Sequence, residues 1–397
     1  MSAETVKKAY ESWQYAESAF GARNPVTLES LSDYIFTLYK NGEECDTLIE
    51  KFKARLENYK DWKNKRLPGA LASVAYVLNE KQMPVSAYPL IRRAAVIADY
   101  FSAAENFDAS TIWLVSSFVL RSLKLYREEI FYDEKLYEYA LKTEGESSND
   151  IIFYLMRLDY ASYYCERYAK ARQYSERALA LNRKYHPENT NRTLVCLSNL
   201  AFNLVHTGPP EEEIRIREEE LDLAQRIHGS QSAEAVERYE KLCNALSKYS
   251  SGSLHVSENL FERARSHYYR LLALKTSVSG PSDPSTLKTM RGLIALFEKG
   301  REYSHAIDLQ KDLVNKSRDQ NSPPAFFSNR DRFHLVEMYR DAGMLREAIQ
   351  LADALLSELT EDLDPETVAQ SLKSKSPSID ITGIMQLRVF LQKYKRI

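Results

Sequence analysis

Residues 193–210 read TLVCLSNLAFNLVHTGPP. Leu194, Leu197, Leu200, Ala201 and Leu204 follow one another at offsets of 3, 3, 1 and 3, which places them on one face of a helix. Gly208-Pro209-Pro210 interrupts the pattern, and a second helix is expected from about Glu211 to Ile227. The unit is therefore a helix–turn–helix. Its lead-in, His186-Pro187-Glu188-Asn189-Thr190, has counterparts at Asn24-Pro25-Val26-Thr27-Leu28, Asp283-Pro284-Ser285-Thr286-Leu287 and Asp364-Pro365-Glu366-Thr367. Proline is tolerated in a first helical turn because its missing N–H is an orphan there, and Asp or Asn before it can cap the helix.

Working outward, the same unit returns at Leu155-Leu158-Ala161 with Tyr168-Ala169-Lys170-Ala171. It returns at Met290-Leu293-Leu296 with Tyr303–Ala306, and at Leu335-Met338-Tyr339 with Gly343–Ala348. Leu31–Phe52, around Gly42, makes an N-terminal copy, and weaker copies start near Ala70 and Trp113. Equivalent points lie 42 residues apart between Glu166 and Gly208 and 43 apart between Gly300 and Gly343. Ala171, Ala306 and Ala348 occupy one repeat position, where a small side chain lets two helices approach closely. An internal period of this size indicates a solenoid.

The Leu197–Ala201 run, the Gly208 turn, the His186-Pro187 lead-in and Asp283–Leu287 together resemble the 42-residue tetratricopeptide repeats of the kinesin-light-chain type. The resemblance covers roughly residues 20–370. It implies an all-α fold, a right-handed α-solenoid superhelix of antiparallel helix pairs. The expected organisation is a single solenoid over 1–397, of about eight helix pairs. A hinge loop is expected at 250–257, a further loop at 372–379, and a C-terminal capping helix at 384–397.

Composition agrees. Gly (12) and Pro (13) of 397 residues fall well below the usual ~12%, so a sandwich or barrel with frequent turns is excluded. A net charge of −2 excludes a strongly basic nucleic-acid binder. No run reaches the ~18 apolar residues of a membrane span, and no secretory h-region opens the chain. Cys45, Cys165, Cys196 and Cys243 are far apart and read as free thiols of a reducing compartment, so the cytoplasm is expected.

No phosphate loop, dinucleotide fingerprint, metalloprotease helix, nucleophile elbow or EF-hand occurs. No catalytic residue, metal ligand or cofactor is therefore expected. His305 with Asp308, and the runs Glu211–Glu213 and Glu218–Glu220, read as solvated helix surface.

In arrays of this family the first helix of each pair lines the concave face, and the resemblance marks the residues that would point there. They are Arg157, Tyr160 and Tyr164 in one copy, Asn199 and Phe202 in the next, then Lys288 and Arg291, and finally Arg330, His334 and Arg340. Two features follow. The middle of the groove is rich in tyrosine, with ten between Tyr126 and Tyr174, and tyrosine gives rigid amphipathic contact area. The C-terminal part is basic, and arginine holds carboxylates bidentately. The reading is a non-catalytic interaction module or scaffold that binds an acidic or extended segment of a protein partner, without nucleic acid or membrane. A homodimer through terminal repeats is open to it. The alternative is an enzyme or small-molecule-binding regulator with a Tyr-rich pocket around 154–174, where Asp159 stands as a buried carboxylate.

Overall fold

The computed structural model describes residues 3–57, 59, 64–105, 107–250, 254–318, 326–360 and 381–394. It divides into two compact units, Met1–Pro209 and Pro210–Ile397. The division runs through Gly208-Pro209-Pro210, which the sequence reads as a turn inside one helix pair. Unit one holds α1 (Ala3–Phe20), α2 (Pro25–Lys40), α3 (Asp46–Leu56), α4 (Leu67–Glu80), α5 (Pro84–Glu105), α6 (Ser110–Ser122), α7 (Tyr126–Thr143), α8 (Asn149–Tyr164), α9 (Tyr168–Tyr185) and α10 (Thr190–Thr207). Unit two holds α11 (Pro210–His228), α12 (Ala233–Tyr249), α13 (Leu254–Ser279), α14 (Pro284–Lys299), α15 (Tyr303–Arg318), α16 (Phe326–Asp341), α17 (Leu345–Thr360) and α18 (Ile381–Tyr394). All regular structure among the described residues is helical, in consecutive antiparallel pairs.

Each pair is set by its turn. Gly42, Gln82, Lys124 and Glu166 in unit one, and Arg301 and Gly343 in unit two, all have φ between 58° and 79°. In every case the N–H after the left-handed residue donates to the carbonyl five residues back, as Arg167 does to Ser162 (2.9 Å), Leu125 to Leu120 (2.9 Å) and Glu302 to Phe297 (2.9 Å). This bond closes the helix C-terminus and aims the chain into the second helix. The interval is 42 residues from Gln82 to Lys124, from Lys124 to Glu166, and from Arg301 to Gly343. The left-handed position is therefore Arg301, one residue beyond the Gly300 that the sequence marks. Gly300 serves a different end: a Cβ there would meet the Phe261 ring at 2.5 Å. Gly292, two turns earlier on α14, is notched in the same way for Tyr268 of α13.

The capping readings hold in part. Asn24 accepts from Val26 N–H and Asp283 from Ser285 N–H. His186, by contrast, ends α9, and Asn189 caps α10 through Arg192 N–H. Asp364-Pro365 and the loop at 372–379 lie outside the described residues. Of the hinge at 250–257, residues 251–253 lie outside them, and α13 already runs from Leu254. Ala171, Ala306 and Ala348 are all fully buried at helix crossings.

The acidic runs of α11 are solvated only in part, with Glu211 exposed and Glu212, Glu218 and Glu219 half-exposed. Glu213 and Glu220 are buried, and Arg217 lies between them, its Nε 2.7 Å from Glu213. The Tyr249 hydroxyl donates to Glu213 at 2.6 Å. Spacings of 4 and 3 on one helix face turn these side chains towards α12, where pairing offsets the cost of burial. His305 pairs with Glu302 at 3.2 Å rather than with Asp308.

The glycine notch gives a stability prediction. Gly292→Ala forces a methyl to within 2.8 Å of the buried Tyr268 ring, and overpacking of that kind costs ~1–3 kcal/mol. Urea unfolding followed by circular dichroism should show the loss; an unchanged midpoint would mean that α13 and α14 do not approach as described.

Candidate functional site

The first helix of each pair forms the A-helix face of its unit. In unit one the relevant helices are α6, α8 and α10. Tyr160 and Tyr164 are exposed on α8 (40% and 52%) and Phe202 on α10 (44%). Tyr164 stacks on Tyr126 of α7 at 4.9 Å and lies 4.6 Å from Tyr160. The Arg121 guanidinium of α6 sits 4.7 Å above the Tyr160 ring. His206 stacks on Tyr168 at 4.0 Å, near Tyr163. Tyr126, Tyr160, Tyr163, Tyr164, Tyr168 and His206 are linked ring to ring.

Arg157 does not belong to that cluster. It is 3% exposed. Its Nε donates to Asp133 at 3.0 Å and its Nη2 to Glu129 at 3.2 Å, and it also bonds Ser117. Glu129 accepts from Arg121 at 2.6 Å as well. The signal lies on α7, where Glu129, Ile130, Asp133, Leu136 and Ala140 share the buried stripe. Two carboxylates at core positions demand cations, and Arg157 and Arg121 supply them. Burial pushes the Glu129 carboxyl up, against the pull of Arg121.

Asn199 is likewise turned inward, to Asp159. Asp159 is buried and accepts from Asn203 Nδ2 at 2.7 Å, and Asn203 reaches Ser175 at 3.1 Å. Burial pushes the Asp159 carboxyl up to about 7, with the Asn203 and Asn199 amides pulling the other way. Asp159 is thus a satisfied core group rather than the wall of a pocket. Tyr154 is buried too. The cavity of this region, about 510 Å³, lies to one side, lined by Lys124–Glu128 and Tyr164–Glu166.

Unit two carries the larger cavity, about 1010 Å³, between α14, α16 and α18, with Gln310 of α15 at its base. Four of the residues marked in the sequence line it: Arg291, Arg330, His334 and Arg340. Lys288 is not among its lining residues; it is exposed and lies 3.5 Å from Glu240 of α12. Most of the basic groups are matched. Arg291 binds Asp331 through two donors, at 3.1 and 2.7 Å. His334 lies 2.9 Å from Glu298, whose hydrogen bond raises the imidazole above its ordinary value. Arg340 holds Asp341 at 2.7 Å. Of the two carboxylates in the lining, Asp331 is held by Arg291 and Glu337 acts through its charge on His334 and Arg340. Among the described residues Arg330 and Lys393 have no carboxylate partner, and the Lys393 ammonium lies 5.2 Å from the Tyr394 ring. Lys393 comes from the C-terminal helix, which the sequence reads only as a cap. Ile294, Phe333, Val336 and Phe390 give the cavity apolar walls.

Chemistry of other kinds is sparse. Burial pushes the Cys196 and Cys243 thiols up to about 12, away from nucleophilic use. Among the described residues no cluster of three or more His, Cys, Asp or Glu could hold a metal, and no helix is long and apolar enough to cross a membrane.

No protein-family model matches the chain, and no curated protein matches it. Among solved structures it is similar to a putative kinesin light chain from Podosopora anserina with nearly identical TPR-like repeats, at 15% identity over 52% of this chain and 94% of that one (TM-score 0.43). It is similar to the apo form of RapI at 11% identity, covering 98% and 97% (TM-score 0.49). It is similar to the apo quorum sensor NprR from B. thuringiensis at 13% identity, covering 99% and 95% (TM-score 0.40). None of these likenesses bears on what this chain binds.

The Asp159 carboxyl makes stability depend on pH. With a folded value of about 7 against an unfolded value of ~4, the folded chain holds a proton that the unfolded chain has released. Its stabilising contribution is complete below pH ~4 and is lost as pH rises towards 7. Asp159→Asn should reduce the fall in urea midpoint between pH 5 and pH 8. An equal fall in both proteins would contradict this.

Proposed function

We propose that the chain is a non-catalytic protein-interaction module, and that the unit-two cavity takes an acidic segment of a partner protein with apolar side chains between its carboxylates. The observation that carries this reading is the pair of unmatched cations, Arg330 and Lys393, on opposite helices of one cavity with apolar walls. Cations in a partly desolvated groove focus field on an anionic ligand, and arginine holds a carboxylate through two parallel donors. Arg291, His334 and Arg340 keep the surrounding potential from turning negative, because each offsets a carboxylate already present. Phe333 and Phe390 supply apolar area for the intervening side chains. A site of this kind binds through charge and shape, with no bond made or broken.

A fluorescence-anisotropy titration with a labelled peptide alternating Asp or Glu with Leu tests the reading. The wild-type chain should bind it, more weakly as salt is raised. Arg330→Ala with Lys393→Ala should weaken binding about tenfold, the effect of losing two charge-assisted contacts of modest strength. Equal affinity in both proteins, or no binding at low salt, would refute the acidic-segment reading.

A further inference from the structure

The 42-residue interval fixes the solvent face of each second helix as it fixes the turns. On α5 that face carries Val85, Pro89, Arg92, Val96, Tyr100 and Ala103, all exposed, Val85 at 76% and Val96 at 62%. Spacings of 4, 3, 4, 4 and 3 keep the six in one stripe along the helix. One period on, the same stripe of α7 reads Arg127, Phe131, Glu134, Glu138 and Lys142, and that of α9 reads Ala169, Gln173, Glu176, Ala180 and Lys184. Those are the polar outer faces expected of helices that meet water. The α5 stripe has one charge in six. A single exposed valine needs no account, but apolar residues repeated at this spacing mark a helix face suited to another helix.

At its middle the stripe is hollow. Tyr88, Pro89, Arg92, Arg93, Val96 and Ile97 line a depression of about 450 Å³. Arg92 and Asp99 lie along one edge of the stripe, and Arg93 and Tyr100 along the other. Among the described residues Arg92 makes no hydrogen bond or ion pair. Asp99 accepts from Trp113 Nε1 at 2.8 Å and from Lys135 at 2.9 Å, both at Oδ1, so Oδ2 carries neither bond. Arg93 donates to the Tyr59 carbonyl at 3.1 Å. On the neighbouring α7, Glu128 accepts from the Tyr88 hydroxyl at 3.3 Å, and the exposed Phe131 ring lies 4.6 Å from the Lys135 ammonium.

We propose that the α5 stripe is the contact between two copies of this chain, packed antiparallel about a two-fold axis through Val96. The stripe is its own complement under that operation, as an isologous interface requires. Val96 meets Val96, and Pro89 meets Ala103. A two-fold keeps each edge on its own side, so Arg92 of one copy comes opposite Asp99 of the other, and Arg93 opposite Tyr100. One cation gains a carboxylate and the other an aromatic face. Like charges stay apart. At ~1.5 Å per residue the two Arg92 stand ~12 Å from each other, and the two Arg93 and the two Asp99 ~9 Å, beyond the ~8 Å screening length. The same operation on α7 would set Glu138 against Glu138. Any apolar helix would cover the valines; the paired edges select a second copy.

Sedimentation equilibrium of the full chain over a range of concentrations tests this. The chain should exchange reversibly between monomer and dimer, because one helix pair falls short of the ~1,600 Å² of a standard interface. Val96→Glu, which sets two carboxylates against each other at the axis, should weaken the dimer about tenfold or more. Arg92→Glu should weaken it too, by facing Asp99. Both positions are exposed, and circular dichroism with urea midpoints checks that the variants fold alike. Arg330→Ala with Lys393→Ala should leave the dimer unchanged, which separates it from the acidic-segment site. Mild oxidation reads the register: Val96→Cys should cross-link to itself, whereas Val85→Cys, ~33 Å from its mate, should not. The proposal is overturned if the chain stays monomeric at every concentration, if Val96→Glu dimerises as the wild type does, or if Val85→Cys cross-links as readily as Val96→Cys.

Discussion

One backbone constraint underlies the rest of the molecule: a helix that ends in a left-handed residue, with the next N–H bonded five residues back. Gln82, Lys124, Glu166 and Arg301 adopt that conformation without being glycine, at a cost of roughly 1–2 kcal/mol each. The bond pattern and the packing of the second helix hold them there. Because the turn recurs at a 42-residue interval, any position counted back from it falls on the same helix face in each copy. Core leucines, crossing alanines and exposed aromatics are all placed by this register. A turn shifted by one residue would rotate the whole helix face by about 100°.

The second organising feature is charge held inside the helix stack. Ser117, Glu129, Asp133, Arg121 and Arg157 join α6, α7 and α8 in unit one, and Glu213, Arg217 and Tyr249 join α11 and α12 in unit two. Removing one partner from a buried pair costs ~3–5 kcal/mol, although the intact pair adds little over an apolar replacement. In unit one the arrangement has a further consequence. Arg121 and Arg157, carried by the A-helices, are neutralised by Glu129 and Asp133 of α7. In unit two Arg330 of α16 and Lys393 of α18 line the cavity without such a partner among the described residues.

The helical period was the legible part of the sequence. Leu194, Leu197, Leu200 and Leu204 are buried where their spacing puts them, and so are the three crossing alanines. The register was harder to read, because glycine was its marker and, of the six left-handed turns within pairs described above, only those at Gly42 and Gly343 use glycine. Arg157 was misassigned for a different reason: its exposure depends on Glu129 and Asp133, carried by a neighbouring helix, and no periodicity within α8 reports them. Tyr160 and Phe202 are exposed on α8 and α10. Arg330, His334 and Arg340 do line one cavity, whereas Lys393 could not be found without the packing of α18.

The central claim is that the unit-two cavity carries cations without carboxylate partners between apolar walls. Hydrogen exchange read by mass spectrometry tests it most directly, on the full chain with and without an acidic peptide. The account predicts that the peptide slows exchange in α14, α16 and α18. Protection confined to other helices, or no protection at low salt, would contradict it.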